Sequence, residues 1–398
     1  MAENIVVLDY GSKTFKAGFA YSFPSEDEPR VVTPNAVEVH PTAAAPGEAP
    51  GPPLLDAHAE VHFPVHRGKI QDFDQFESLV HCILYELLGW EMGDEGNVII
   101  SEPLLTPRPD REHLTQLMFE VFNVNGLFIQ DQPVLSLYAV AKQSGCVVDI
   151  GHGKVDISNV VEGQLSAASV RRAPFAGEDM TRLLEGMLSQ QGIHIHSTHD
   201  VEVLKELCCR AADSAQDYDR AVATAGGSGG AASTSSSQQD RPGAELFKLP
   251  DGQEISIQHE GMHVAEALFR PSVMGADGPG IAEAAYECII SQYDASSRRA
   301  GCENLLLCGG GSSIPGLTAR FLRDIRGLLP SSLQPSMCPV PEYMQQQQQQ
   351  QQHHHHTCKY APWIGGAVLA KVILQQNHFV SKGEYEEAGP YAIHKKCG

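Results

Sequence analysis

Residues 146–154 read CVVDIGHGK. An apolar, β-branched run ends in Asp149, and the chain then turns at once through Gly151 and Gly153. The same phrase occurs near the N-terminus, where residues 5–13 read IVVLDYGSK. Each copy is followed by a second apolar run, so the sequence predicts two β-hairpins with glycine-opened tips. Successive backbone N–H groups at such a tip form an anion-binding concavity, and an adjacent aspartate can hold a hydrated cation.

A third glycine turn strengthens this interpretation. Residues 304–308 form an apolar run that leads into three glycines, beginning with Gly309 and Gly310. Such a turn lets the backbone approach a flat ligand closely. One strand–Asp–x–Gly phrase is common in ordinary hairpins, whereas three glycine turns together predict a site for a nucleotide, its phosphates and its metal.

Composition narrows the class of protein. A chain of 398 residues exceeds what one hydrophobic core usually fills, so two lobes are expected. The 28 Lys+Arg against 49 Asp+Glu disfavour direct, sequence-independent binding to nucleic acid, though not a partner that binds DNA. The ten cysteines form no CxxC pair, which is typical of reduced thiols in a cytosolic or nuclear protein. No apolar run approaches the ~20 residues of a membrane-spanning helix.

The organisation along the chain indicates an α/β fold with sheets covered by helices. Helices are predicted from Asp72 or Asp74 to residue 87, from Pro109 onward, and over residues 132–141. Three segments lack periodicity: an irregular loop at 37–66, a Gly/Ser-rich stretch at 223–242 and a Gln/His tract at 345–356. The four histidines of that tract could bind a metal, but a repeat-expanded surface loop is the favoured interpretation, because no acidic or cysteine ligand surrounds them.

Around these turns, the chain resembles the actin family. The similarity is strongest at residues 118–123 (MFEVFN), 132–139 (QPVLSLYA), 249–253 (LPDGQ), 266–271 (EALFRP), 363–366 (WIGG) and 384–397. Within the family, residues 88–91 and 145–154 are most similar to the plant nuclear actin-related proteins of the seventh class.

The resemblance implies the actin-like (actin/Hsp70/sugar-kinase) α/β fold, with two lobes built on mixed sheets and a nucleotide cleft. The first lobe is predicted at 1–140, the second at 141–340, and a C-terminal segment at 357–398 returns to the first. The implied ligand is ATP or ADP, with Mg²⁺ or Ca²⁺ held weakly.

The site residues follow from the resemblance position by position. The first phosphate loop is matched by Gly11, Ser12 and Lys16, and the second by Asp149, Gly151 and Gly153. Lys205 and Glu206 match the pair that faces the ribose and adenine, Gly309 and Gly310 the adenosine loop, and Lys359 an adenine-side lysine. Asp9 and Asp149 are expected to hold the metal through waters, and Gln132 matches the glutamine that orients the attacking water.

Several residues depart from the family's pattern. His152 and Asp156 stand where actin has an aspartate and a histidine that order the metal shell and the attacking water, so both functions are expected to be weakened. Tyr10 replaces a small amide and is expected to crowd the site. Lys13 and Lys154 add charge at the loop tips. They either compensate for a weaker cation or face solvent, and the second interpretation is favoured for Lys154.

The surfaces used for filament assembly also differ. Residues 34–64 replace the loop through which actin binds the next subunit, and Gly398 stands where the family commonly has an aromatic residue. The resemblance therefore favours a non-polymerising, nucleotide-binding structural subunit of a nuclear chromatin-remodelling complex that regulates gene expression and development, with no significant ATPase turnover.

The expected partner is a basic helical segment of a remodelling ATPase, with actin or another actin-related protein as a further candidate. The protein is expected in the nucleus and also the cytoplasm. The alternatives are a filament-forming cytoskeletal ATPase, which the altered loops disfavour, and a kinase or chaperone of the wider fold, which no substrate-domain motif supports.

Overall fold

The structure is a computed structural model that describes residues 4–22, 29–39, 60–93, 95–226, 245–249, 252–339, 341 and 357–397. The chain forms two compact units. Unit 1 comprises residues 1–135 and 362–398, and unit 2 comprises residues 136–361. The sequence placed the corresponding boundaries after residues 140 and 356. No helix of the described ranges has both the length and the apolar character that crossing a membrane requires.

Seventeen strands lie in the described residues: β1 (Ile5–Tyr10), β2 (Thr14–Phe19), β3 (Val31–Pro34), β4 (Val37–Val39), β5 (Glu60–His62), β6 (Val65–His66), β7 (Lys69–Ile70), β8 (Asn97–Glu102), β9 (Gly126–Asp131), β10 (Gly145–Ile150), β11 (Val155–Val161), β12 (Gln164–Leu165), β13 (Arg171–Arg172), β14 (Glu245–Lys248), β15 (Glu254–Ile257), β16 (Leu305–Cys308) and β17 (Val380–Ser381).

The α-helices of the same residues are α1 (Phe73–His81), α2 (Arg108–Gln116), α3 (Gln132–Ala139), α4 (Gly177–Gln190), α5 (Thr198–Cys208), α6 (Ala215–Gly226), α7 (Glu260–Glu266), α8 (Ile281–Ile290), α9 (Ala295–Glu303), α10 (Leu317–Leu328), α11 (Ala361–Gln376), α12 (Lys382–Ala388) and α13 (Ile393–Lys396).

Unit 1 is built on a six-stranded mixed sheet with the order β17-β9-β8-β1-β2-β3. Strands β1, β8 and β9 run parallel, while β1 and β2 form the predicted antiparallel hairpin. All six residues of β1 are buried, which is typical of a strand covered on both faces. The register places Asp9 between Lys16 of β2 and Ser101 of β8, so the side chains of all three can meet at the end of β1.

The predicted helices of unit 1 are present. The Asp72 carboxylate accepts the N–H of Gln75 at 2.9 Å and caps α1, and the helix continues as a π-helical segment, Cys82–Leu87. Helix α2 begins one residue before Pro109, because a proline in the first turn has no backbone N–H to leave unpaired. Helix α3 ends at Ala139, two residues earlier than predicted.

Unit 2 is built on a second mixed sheet with the order β12-β11-β10-β16, and β13 pairs with β11. The register places Asp156 of β11 directly opposite both Asp149 of β10 and Arg172 of β13. Strand β16 lies parallel to β10, with Cys308 beside Asp149. Helices α4, α8 and α10 supply buried side chains to the core of this unit, including Met180, Leu184, Ile289 and Phe321.

The segments predicted to be irregular are only partly described. The expectation of a continuous loop at 37–66 is wrong at its ends, because β4, β5 and β6 lie there, with β4 paired to β5 and β6 to β7. Residues 40–59 lie outside the described residues, as do 227–244, the 345–356 tract and Gly398. Within 223–242, the first four residues continue helix α6 instead of forming a loop.

Candidate functional site

The first predicted phosphate loop is the tip of the β1–β2 hairpin in unit 1. Asp9 is the second-last residue of β1 and is 1% exposed. The Lys16 ammonium lies 2.9 Å from Asp9 Oδ2. The hydroxyl of Ser101 and the side-chain amide of Gln132, the latter at 3.0 Å, both donate to Asp9 Oδ1. The Asp9 carboxylate is therefore bound on both oxygens by residues of its own unit.

The backbone of this loop is closed by short hydrogen bonds. The N–H of Gly11 donates to the carbonyl of Thr14 at 3.0 Å, and the N–H of Gly68 donates to the Ser12 hydroxyl at 3.0 Å. A Cβ at Gly11 would lie 3.3 Å from the Lys16 ammonium nitrogen. A side chain at this position would therefore crowd the lysine that the resemblance assigns to phosphate.

Tyr10 does not crowd this loop, so that expectation is wrong. Successive side chains of a strand point to opposite faces, and Tyr10 therefore lies on the face away from Asp9. Its ring packs edge-on against Phe76, with 5.5 Å between ring centroids, and is 2% exposed.

The second predicted phosphate loop is the tip of the β10–β11 hairpin in unit 2. The N–H of Gly151 donates to the carbonyl of Lys154 at 2.8 Å and closes the turn. The first residues of α4 hold the tip, because the N–H of Gly177 donates to the Gly151 carbonyl at 3.0 Å and that of Glu178 to the His152 carbonyl at 2.8 Å. The position of this loop is thus set by the N-terminus of α4.

A cluster of four charged side chains, here called the ion cluster, lies beneath this tip: Asp149, Lys154, Asp156 and Arg172. The Lys154 ammonium lies 3.0 Å from Asp149 Oδ2 and 2.9 Å from Asp156 Oδ2, and its side chain is 7% exposed. Arg172 donates from Nε and Nη2 to the two Asp156 oxygens, at 2.6 and 2.9 Å. The expectation that Lys154 faces solvent is wrong.

The register of β10 and β11 explains why this lysine is buried. Asp149 and Asp156 are cross-strand neighbours, and like charges in directly opposed positions destabilise a sheet. The Lys154 ammonium lies between the two carboxylates and offsets their repulsion. Lys13, at the other tip, is half-buried.

Lys154 and Asp156 remain ionised near neutral pH. Burial by itself would lower the pKa of Lys154, but the charges of Asp156 and Asp149 and their hydrogen bonds outweigh it and raise that pKa. Burial would likewise raise the pKa of Asp156, but Lys154 and Arg172 lower it below its ordinary range. Asp156 is therefore a carboxylate paired with two cations, Lys154 and Arg172.

The predicted ribose-side residues lie on α5. Lys205 donates to the Gly177 carbonyl at 2.9 Å and to the Thr181 hydroxyl at 2.7 Å, and Glu206 is exposed. Nδ1 of His152 lies 3.3 Å from Glu202 Oε1 on the same helix. Lys205 is therefore engaged with α4 in this structure.

The glycine turn after β16 contacts the second phosphate loop directly. Gly309 has φ of 79°, and a Cβ there would lie 2.5 Å from Asp149 Oδ1 and 2.5 Å from the Ile150 carbonyl oxygen. Its N–H donates to the carbonyl of Cys358 at 3.3 Å, next to Lys359 in the 3-10 helix Thr357–Tyr360. The fold therefore brings Asp149, Gly309 and the Lys359 segment together within unit 2.

Comparison with known proteins identifies the family of this chain. The family model described as Actin matches residues 2–203 and 197–398. The chain belongs to the actin family. The predicted family and the predicted actin-like fold are thereby confirmed.

Relatives within the family cover almost the whole chain. Actin-related protein 7 of Oryza sativa subsp. indica is 38% identical over 393 residues, which are 98% of this chain and 99% of that protein. Actin-related protein 7 of Arabidopsis thaliana is 37% identical over the same shares. Actin-like protein 7B of Homo sapiens is 30% identical over 406 residues, 98% of this chain and 88% of that protein. The predicted similarity to the seventh class of plant actin-related proteins is also confirmed.

Actin-family proteins generally bind a nucleotide with a divalent metal, and the carboxylates predicted to hold that metal do not fit it here. In unit 1, both oxygens of Asp9 are engaged, one of them by the Lys16 ammonium. In unit 2, Asp149 is bound by the Lys154 ammonium. The described residues contain no group of three or more His, Cys, Asp or Glu side chains that could hold a metal ion. Each loop, taken by itself, presents a carboxylate already neutralised by lysine.

Two residues of this actin-family site were missed from the sequence. Ser101 could have been found, because a strand at residues 97–102 that runs parallel to β1 puts this hydroxyl beside Asp9. Arg172 carried only a weak signal, since β13 is two residues long and has no periodic pattern. The adjacent pair Arg171–Arg172 is its single sequence clue.

Proposed function

We propose that this chain is a nucleotide-binding, non-polymerising structural subunit of a nuclear chromatin-remodelling complex, through which it regulates gene expression and development. The observation that carries the proposal is the similarity to Actin-related protein 7 of rice and Arabidopsis over 98% of the chain. The geometry of the second phosphate loop supports the expectation that the nucleotide is turned over slowly.

The second loop is poorly suited to ordering an attacking water. Asp156 stands where actin has a histidine, and both of its oxygens are bound, one by Lys154 and Arg172 together and the other by Arg172. A general base needs a pKa near the working pH, whereas the pKa of Asp156 is lowered. We expect a resident ATP or ADP with slow turnover.

This expectation is tested by denaturing the purified protein and assaying the released nucleotide, followed by measurement of phosphate release. Recovery of nucleotide with little phosphate release supports the proposal. Steady turnover at the rate of polymerising actin contradicts the slow-hydrolysis part, and the absence of any bound or bindable nucleotide contradicts the rest.

The proposal also requires that the protein alone stays monomeric. Head-to-tail assembly needs contacts that repeat along the filament, and residues 34–64 replace the loop that makes one of them in actin. Light scattering after addition of salt and magnesium should show no growth. Filaments seen by electron microscopy would instead favour the cytoskeletal alternative.

The expected partner is a basic helical segment that precedes the ATPase domain of a remodelling enzyme. The net charge of −21 favours association with a basic segment, while apolar side chains supply most of the affinity of a docked amphipathic helix. Unit 1 carries an exposed aromatic side chain in its C-terminal segment, Tyr391, which is 55% exposed. We assign it to the partner surface.

Affinity purification from nuclear extract, followed by identification of the recovered proteins, tests this assignment. A remodelling ATPase should be recovered with the wild-type protein and lost with Tyr391→Ser. The matched control is Tyr293→Ser in unit 2, where the side chain is 96% exposed. A purely cytoplasmic protein found with filaments and without a remodelling ATPase would contradict the proposed function.

A further inference from the structure

We propose that the buried Lys154 ammonium takes the place of a divalent cation at the second phosphate loop, so that this chain binds nucleotide phosphates without Mg²⁺ or Ca²⁺. The inference rests on the nucleotide binding proposed above and concerns how the phosphates are held.

The position of the ammonium is the first argument. Lys154 follows Gly153 of the loop directly, and two ion pairs of 3.0 and 2.9 Å hold its nitrogen between Asp149 and Asp156. This charge belongs to the folded chain, so it does not have to be acquired from solution. Water screens charges poorly at a site this buried, so without the ammonium a phosphate at the loop tip would be strongly repelled by the two carboxylates.

The charge balance is the second argument. A divalent cation at such a site neutralises carboxylates and bridges them to phosphate oxygens. In the ion cluster, Lys154 and Arg172 already neutralise Asp149 and Asp156. An incoming phosphate therefore meets no uncompensated carboxylate of this cluster. The carboxylates are already neutralised without a divalent cation.

The surroundings of Asp149 are the third argument. A metal approaching Oδ2 would have to displace the Lys154 ammonium, and the backbone of Gly309 lies so close to Oδ1 that a Cβ added there would be 2.5 Å away. The side chain is 15% exposed, which leaves little room for a hydrated ion. In unit 1, Asp9 shows the same kind of pairing with Lys16, at 2.9 Å.

The test uses the full chain, stripped of resident nucleotide, and a fluorescent ATP analogue titrated in EDTA and in MgCl₂. The dissociation constants of the wild-type protein should differ by less than about threefold between the two conditions, well under 1.4 kcal/mol. A loss of roughly a hundredfold or more in EDTA overturns the inference but leaves the proposed nucleotide binding intact. No binding in either condition overturns both.

The variant Lys154→Met sharpens this test. It exposes two opposed carboxylates, so binding in EDTA should fall roughly tenfold or more and MgCl₂ should restore it. Lys248→Met, at an exposed position of β14 in the same unit, is the matched control and should bind as the wild type does. A folded Lys154→Met protein with unchanged affinity in EDTA overturns the inference. If this variant does not fold, the wild-type comparison decides alone.

Discussion

Replacing Lys154 with methionine removes one charge from the core of unit 2 and keeps a side chain of similar length. It leaves Asp149 and Asp156 directly opposed, with Arg172 as the remaining cation of the cluster. Breaking a buried ion pair from one side costs about 3–5 kcal/mol, because an uncompensated charge stays buried. We expect Lys154→Met to lose stability by an amount in this range.

The burial of this ion pair supports a loss of stability in the range for buried pairs, which exceeds that for exposed ones. The side chains of Lys154 and Asp156 are 7% and 1% exposed, so solvent screening is weak. For a unit of about 200 residues, 1 kcal/mol corresponds to roughly 2–4 °C in melting temperature. The melting transition of unit 2 should therefore fall by roughly 10 °C, which circular dichroism or scanning calorimetry can measure.

Two further variants separate charge from packing. Arg182→Met breaks the ion pair of Arg182 with Glu178 on α4, but Arg182 is 63% exposed, and the loss should stay within about 1 kcal/mol. The double variant Lys154→Met/Asp156→Asn removes one carboxylate together with the ammonium and should recover a large part of the loss. A Lys154→Met protein that melts like Arg182→Met would refute the reasoning. A double variant no better than the single one would refute its electrostatic part.

The pH dependence of this effect follows from the signs of the two shifts. The pKa of Lys154 is raised, so its stabilisation is present below the ordinary lysine pKa and is lost as the pH rises through the raised value. The pKa of Asp156 is lowered, so its stabilisation is present above the ordinary aspartate pKa and is lost as the pH falls through the lowered value. The loss of stability of Lys154→Met relative to the wild type should therefore be constant between about pH 5 and 9.

Three other outcomes are expected. Burial raises the pKa of Glu102 to about 7 despite Arg111, so the stability it contributes at low pH is lost as the pH rises through that value. The free energy of unfolding of Glu102→Gln, measured in thermal melts, should therefore rise relative to that of the wild type between pH 5 and 8, by up to about 3 kcal/mol. Gly309→Ala should lower the yield of folded protein, since its φ is 79° and Asp149 leaves no room, whereas Gly310→Ala, which faces open space, should not. Lys16→Ala should weaken nucleotide binding in equilibrium titrations, and the exposed Lys395→Ala should not.

The two hairpins could be predicted because their signals are local. A β-branched run, an aspartate and a glycine turn lie within nine residues in each copy. Both hairpins are present, with Asp9 and Asp149 as the second-last residues of their strands. The sequence could also narrow the N-cap of α1 to Asp72 or Asp74, because an N-cap needs only the residues that follow it, and the structure places the cap at Asp72. For the same reason, the family resemblance could be stated from short segments.

The ion cluster could not be predicted, because it depends on register. Lysine is almost never fully buried unless it is paired, so a lone lysine at a turn is assigned to solvent by default. Its partner Asp156 becomes visible only when the four-residue turn places Asp156 opposite Asp149. Arg172 lies sixteen residues further along, on a strand too short to show alternation.

The ion cluster links the replacement of a histidine by Asp156 to the burial of Lys154. Where actin has a histidine that helps to order water, this chain has Asp156, and the charge of that residue is committed to Lys154 and Arg172. A carboxylate with a lowered pKa and three bound donors can stabilise a loop, but it is a poor proton acceptor near neutral pH. The contacts that stabilise the ion cluster therefore commit both oxygens of Asp156 to cations. Under the proposed function, this favours a nucleotide that stabilises the fold over one that is turned over.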